Sequence, residues 1–222
     1  SDRDKALAYH LSRAAALGRD ITWDQRHHLA LALRTELETM YNKSHAVGGD
    51  FAKKLQTTLR LLWIASGPYD THSGQKIHMQ FTEAEWRRAR KLIGQRRSKP
   101  PAKPPATTPS DEMLVSFMFD PEVDSRLIGP DGRDPFAGSS GNFYRNIKLD
   151  DLNGLTERNA LNSRLERHGD RVIELVYRTG RAAKPGQRPA PRGLYADLLT
   201  AVVQELRRAL TLTDIRQRAH LQ

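Results

Sequence analysis

The sequence predicts an α+β fold, predominantly helical, with a small antiparallel β-hairpin or barrel element. Three observations predict it. Apolar residues recur at a 3.6-residue period through most of residues 2–93 and again over 194–210. One stretch, 160–179, instead alternates and is rich in β-branched residues. Between these patterns lie Pro- and Gly-rich stretches that suit neither helix nor strand.

Residues 2–17 read as the first helix, with Leu7, Leu11 and Ala14/Ala15 on one stripe and Gly18 as a left-handed stop. Thr22 or Asp24 is suited to cap the next helix, whose stripe is Leu29, Leu33, Leu37 and Met40/Tyr41. His27 and His28 fall in its first turns. As neighbours on a helix they face different directions and cannot both serve one metal, so they read as surface or packing residues. Asp50 is placed to cap a third helix with the stripe Phe51, Leu55, Leu59 and Leu62. Thr82–Glu85 is a capping box, and Trp86, Ala89, Leu92 and Ile93 are the apolar face of a fourth helix ending at Gly94. Residues 95–110 hold five prolines and read as an extended loop or linker. The run MLVSFMF at 113–119 is continuously apolar, and periodicity leaves strand and short helix equally open. A turn-rich region follows at 129–141, and Asp150 is suited to cap a short helix through Leu155. Leu161, Ser163 and Leu165 then alternate with polar residues, His168-Gly169-Asp170 turns the chain, and Val172–Tyr177 runs back. After a Pro/Gly/Arg loop at 180–193, Leu194, Leu198, Val202, Leu206 and Leu210 define a last amphipathic helix. Thr213 or Asp214 would cap a further helix that is cut within two turns, which suggests a piece of a longer polypeptide.

Composition narrows the classes. Of the 222 residues 38% are hydrophobic and 28% charged, the balance of a globular chain rather than a disordered one. No apolar run approaches the roughly 20 residues that span a bilayer, so no membrane partner is expected. There is no cysteine, which excludes disulfides, thiolate metal ligands and thiol nucleophiles. The net charge of +10 draws on eight Lys/Arg and no acid between Arg87 and Lys103. That run coincides with the prolyl stretch and lacks aromatic residues for base stacking. It reads as a solvated segment, with an anionic partner as the weaker alternative and nucleic acid not expected.

Residues 63–81, WIASGPYDTHSGQKIHMQF, lie between two helices and mix glycines, histidines and aromatics too varied for a solvated spacer. A long loop between packed helices is uncommon and often functional, so the binding surface is placed here. Tyr69 reads equally as a core residue, and His72 as an ordinary loop residue. His72 and His78 form a pair without a nearby acid, a weak metal pattern. No His is followed by Glu, and neither a phosphate cradle nor a Gly-Xaa-Ser-Xaa-Gly elbow is present. Composition and motifs alone therefore give a helical domain without an assigned role.

Four blocks in order add to this. Residues 11–25 (LSRAAALGRDITWDQ), 62–81, 114–121 and 160–180 (ALNSRLERHGDRVIELVYRTG) together resemble the bacterial branch of the dipeptidyl peptidase III family of zinc metallopeptidases. The first block resembles the family's opening helix and its Gly-Arg-Asp-Ile turn. The second resembles a tryptophan-bearing helix end followed by a Gly/aromatic/His loop. The third resembles a Phe-Asp-Pro block, and the fourth the Leu-Asn-Ser-(Lys/Arg)-Leu hairpin.

The resemblance implies a two-lobed exopeptidase that releases dipeptides from peptide N-termini. One lobe holds zinc; the other contains a small β-barrel and forms the opposite wall of the cleft. This chain matches only the N-terminal, non-zinc lobe. The resemblance therefore implies no catalytic or metal residue and no cofactor in this segment, with zinc expected in the parent protein. Without the ion there is no activated water, so the 222-residue chain alone is predicted to be inactive. The peptide substrate would meet it only together with the missing lobe. His72 and Tyr69 resemble positions at the substrate cleft. Asn162, in the Asn-Ser block, is the third substrate-binding candidate, although it and Arg164 also suit β-structure and surface pairing. Where the family carries a second aromatic or His, this chain has Asp70 and Thr71. The implied organisation is a helical subdomain at 1–94 with its cleft-facing loop at 63–81, a Pro/Lys-rich loop or linker at 95–110, and a mixed hairpin and helix portion of the same lobe at 111–222. The branch's frequent export tilts the expected compartment toward the periplasm. The alternative is a free-standing peptide- or protein-binding domain on the same lobe.

Overall fold

A 3.6-residue apolar period buries one face of each helix, and those faces locate the core. The computed structural model describes residues 1–43, 47–93, 109–129, 136, 138–180 and 193–214. Among them the fold is α+β and predominantly helical, with six α-helices and three short strands. The chain divides into two compact units, Ser1–Ile21 with Glu157–Gln222, and Thr22–Thr156. The prolyl stretch from 95 to 108, most of the turn-rich region at 129–141, the loop at 181–192 and any helix after Asp214 lie outside the described residues, as does the helix end expected at Gly94.

The first helix, α1 (Asp2–Arg26), corrects two expectations. It does not stop at Gly18, and the Gly-Arg-Asp-Ile block is helix rather than turn. A mid-helix glycine costs only about 1 kcal/mol relative to alanine. Continuing the helix buries Trp23 completely, and that apolar burial outweighs the cost. Thr22 and Asp24 therefore lie inside α1 and cap nothing.

In the second unit, α2 (Ala30–Asn42) buries Leu33, Leu37 and Met40, with Leu29 buried at its start. Against it runs α3 (Gly49–Ala65), burying Phe51, Leu55, Leu59 and Leu62 as the pattern predicts. Its N-cap is Gly48 at φ 75°, not Asp50. Asp50 instead sits in the first turn, where a carboxylate suits the helix dipole, and pairs with Lys54 at 2.9 Å. In α4 (Glu83–Ile93) the capping box forms: Thr82 N–H donates to Glu85 at 2.7 Å, and Glu85 N–H donates to the Thr82 hydroxyl at 3.3 Å. Trp86 and Ala89 are buried, but Leu92 is 61% exposed. Six residues beyond Trp86 is about 120° round the helix, off the buried face. The run 113–119 is helical, within α5 (Asp111–Phe119). Ser110 caps it by accepting from Met113 N–H, and the acids Asp111 and Glu112 occupy its first turn. After the two-residue strand β1 (Tyr144–Arg145), the helix expected from Asp150 to Leu155 is only a 3-10 turn, Leu149–Leu152. Its entry is held by Asp151, which accepts from Lys148 N–H at 2.8 Å.

In the first unit, β2 (Ser163–His168) and β3 (Arg171–Val176) form an antiparallel hairpin in the register Ser163↔Val176 through His168↔Arg171. Gly169, at φ 59°, supplies the left-handed position of its two-residue turn. The sheet is not closed into a barrel; strands this few and short cannot complete the circuit. The last helix, α6 (Ala196–Thr211), half-buries Leu198, Val202, Leu206 and Leu210. Its most buried side chains are smaller or polar: Ala209, and Glu205, which His10 meets at 2.7 Å and Arg208 at 2.8 Å.

Candidate functional site

Helix α3 carries the chain to Ala65, where Ser66 in the left-handed region terminates it. The segment that follows is a knitted loop rather than a spacer. Ile77 N–H donates to Pro68 O at 2.8 Å, and Asp70 N–H to Gln75 O at 2.9 Å, folding residues 68–77 back on themselves. Gly74 makes the reversal at φ 67°. A second layer lies beside it: Lys76 N–H donates to Ser125 O at 2.9 Å, and Leu127 N–H to Gly74 O at 2.8 Å. The far end is fixed by Gln80 N–H donating to the Thr58 hydroxyl of α3 at 3.0 Å, and by burial of Phe81.

Two side chains bolt this loop to the turn after α5. Tyr69 is fully buried, and its hydroxyl donates to Asp124 O at 3.0 Å. Burial holds that phenol well above the usual tyrosine range, so it is a neutral donor at any physiological pH. Lys76 is buried too. Its ammonium donates to Asp120 O at 2.6 Å and to Val123 O, and lies 5.2 Å from the centre of the Phe117 ring. Burial pulls the Lys76 pKa down, and the carboxylates of Asp124, Asp120 and Glu122 oppose that pull.

The tip is the exposed part. Asp70 accepts from His72 N–H at 3.0 Å, from Ser73 N–H at 2.7 Å and from the Ser73 hydroxyl at 2.9 Å. These donors, the Ser73 N–H foremost, keep its carboxyl below the ordinary aspartate range. The turn so fixed leaves Thr71, His72 and Ser73 exposed. A rigid loop displaying a histidine, two hydroxyls and backbone groups is able to hydrogen-bond an extended peptide.

The three predicted site residues thus have different settings. His72 is at the surface of the loop, and Tyr69 is internal and holds the loop's shape. Asn162 belongs to the other unit. It is exposed, and its carbonyl accepts from Tyr177 N–H at 2.9 Å at the mouth of the hairpin. Arg164, one step into β2, is buried and lies 3.5 Å from Glu166. His78 is exposed. Among the described residues no three His, Asp or Glu side chains are grouped to hold a metal ion. No described helix is long and apolar enough to cross a membrane.

Sequence reasoning missed Lys76 and Asp124 as the loop's anchors. Of the two readings of His27, surface or packing, the second holds: it is buried between the loop and α5. The signal for Lys76 was its place inside a loop otherwise rich in small and polar residues. Asp124 had none, because its role depends on the left-handed backbone at φ 49°. Comparison with known proteins adds no relative: no protein-family model matches the chain, and no curated protein matches it.

Proposed function

We propose that this chain is the N-terminal, non-zinc lobe portion of a dipeptidyl peptidase III-like exopeptidase, and that its 66–81 loop forms part of the peptide-binding wall. Zinc and the water-activating base would come from residues outside this segment. The observation that carries the reading is the order of the four sequence blocks, 11–25, 62–81, 114–121 and 160–180. Its structural support is that the second and third blocks pack on one another, Lys76 of one donating to Asp120 O of the other. A loop held this firmly by its own lobe presents His72 in one place, and preorganisation of that kind lowers the entropic cost of binding an extended peptide.

On this reading His72 contacts the substrate and Tyr69 positions the loop. The test is an amide-shift titration of the 222-residue chain with an unblocked tetrapeptide. Shifts are expected at Thr71, His72 and Ser73, with binding weakened in His72→Ala. Shifts confined to other regions, or an unchanged affinity in His72→Ala, would remove the loop from the substrate wall.

A further inference from the structure

A cavity of about 330 Å³ opens in the second unit, apart from the exposed loop tip. The last turn of α1 contributes Gln25 and Arg26 to its wall, and the segments after α5 contribute Leu127, Ile128, Gly141 and Phe143. The walls are joined by backbone bonds. Asn142 N–H donates to Gln25 O at 2.9 Å, and Gly141 N–H donates to Leu127 O at 3.2 Å. The Asn142 side-chain amide also donates to Asp24 O at 2.9 Å. These bonds tie the walls of the cavity to one another.

Its lining joins the apolar Leu127, Ile128 and Phe143 to the polar Thr22 and Gln25 and one cation, Arg26. Among the described residues no hydrogen bond or ion pair engages Arg26, a half-buried residue. Its stem is confined: a Cβ on Gly67 would stand 2.5 Å from Arg26 Cδ, so the Gly67 backbone presses against it. A guanidinium beside apolar walls, with no anion paired to it among the described residues, is matched best by a carboxylate, which it can bind through two parallel hydrogen bonds. The apolar walls require that the carboxylate carry an aliphatic group. The volume is near the lower end of ligand pockets, about 300–1,000 Å³, which suits one residue rather than a folded segment.

We propose that this pocket binds the carboxylate of an apolar amino acid, with Arg26 pairing to the carboxylate and Leu127, Ile128 and Phe143 covering the side chain. A free acylated amino acid and the C-terminal residue of a peptide share this chemistry. The proposal is independent of the peptidase reading and survives or fails without it.

The test is an amide-shift titration of the full chain with N-acetyl-leucine, N-acetyl-leucinamide and acetyl-Ala-Ala-Leu. Saturable shifts at Ile128 and Gly141 are expected with the two acids. The amide is expected to bind at least about tenfold more weakly, since hydrogen bonds to a charged group contribute about 1.5–3 kcal/mol. Tighter binding of the tripeptide assigns a chain end as the natural ligand; equal binding assigns the free acylated amino acid. Arg26→Met, which keeps the stem, is expected to erase the preference for acid over amide, and Gly67→Ala to weaken it. Equal binding of acid and amide by the unaltered chain, or an intact preference in Arg26→Met, overturns the proposal.

Discussion

The imidazole of His27 lies flat on the ring of Phe117, with centroids 4.1 Å apart and planes 5° from parallel. Its Nδ1 accepts from Leu29 N–H at 3.1 Å, which leaves the proton on Nε2, 3.1 Å from the Asp124 carboxylate. The ring is thus neutral, buried and doubly hydrogen-bonded between α1, α2 and α5. Burial lowers its pKa below 6.5, and the hydrogen bond and charge of Asp124 only partly counter this. Beside it, the same hydrogen bond keeps the Asp124 carboxyl below the ordinary aspartate range.

The sign of the resulting pH dependence follows. Below pH 6.5 the unfolded chain takes up a proton at His27 that the folded chain refuses, so stability falls as pH falls. Full stability from this group is present above about pH 6.5, and the loss stops once the depressed folded-state pKa is passed. Asp124 adds a second loss at pH values below its unfolded value of 3.8. His27→Gln is expected to be less stable at pH 7, yet to lose less between pH 7 and pH 5. Urea midpoints at the two pH values check this; parallel losses in both proteins would show that His27 is not the group responsible.

Lys76→Met should cost about 2–3 kcal/mol, the scale of hydrogen bonds from a charged donor, because it leaves the carbonyls of Asp120 and Val123 without that donor. The damage should be local. Hydrogen exchange at Lys76 and Leu127, whose amides join the loop to residues 125–127, is expected to accelerate before that of α2 and α3.

Tyr69 separates shape from hydrogen bonding. Tyr69→Phe removes only the donation to Asp124 O and should cost about 1 kcal/mol. Tyr69→Ala opens a cavity in a fully buried position and should cost about 3–5 kcal/mol. Equal denaturation midpoints for the two variants would contradict the packing described for this ring.

At the other end of the loop, Thr82→Ala should cost about 1 kcal/mol through loss of the α4 cap. Glu85 is held down to about 2, first by Lys54 and then by Thr82 N–H. Its contribution is present above pH 4.5 and lost as pH falls toward 2. An NMR titration of the Glu85 carboxyl is expected to move upward in Lys54→Met.

The stripes of α2 and α3, the α4 capping box and the Gly169 turn were legible in the sequence because each is written in residues a few positions apart. The extent of α1 was not, since Gly18 is a local stop signal overruled by the distant packing of Trp23. Residues 113–119 carried no period, and their helical state rests on the Ser110 cap and the acids that follow it. At the candidate site, the loop was readable from composition. The bonds that give the loop its shape were not: Tyr69 and Lys76 meet partners 55 and more than 40 residues away. Nor was the Arg26 pocket, whose walls come from segments over a hundred residues apart in the chain.

The central proposal is that this chain supplies a wall while the hydrolytic centre would lie elsewhere in a longer polypeptide. Its most direct test is mass spectrometry of the products from an unblocked hexapeptide, incubated with zinc and either the polypeptide of the whole reading frame or the 222-residue chain. The account predicts release of amino-terminal dipeptides by the former and an intact peptide with the latter. Dipeptide release by the 222-residue chain alone, or an intact peptide with both, would contradict it.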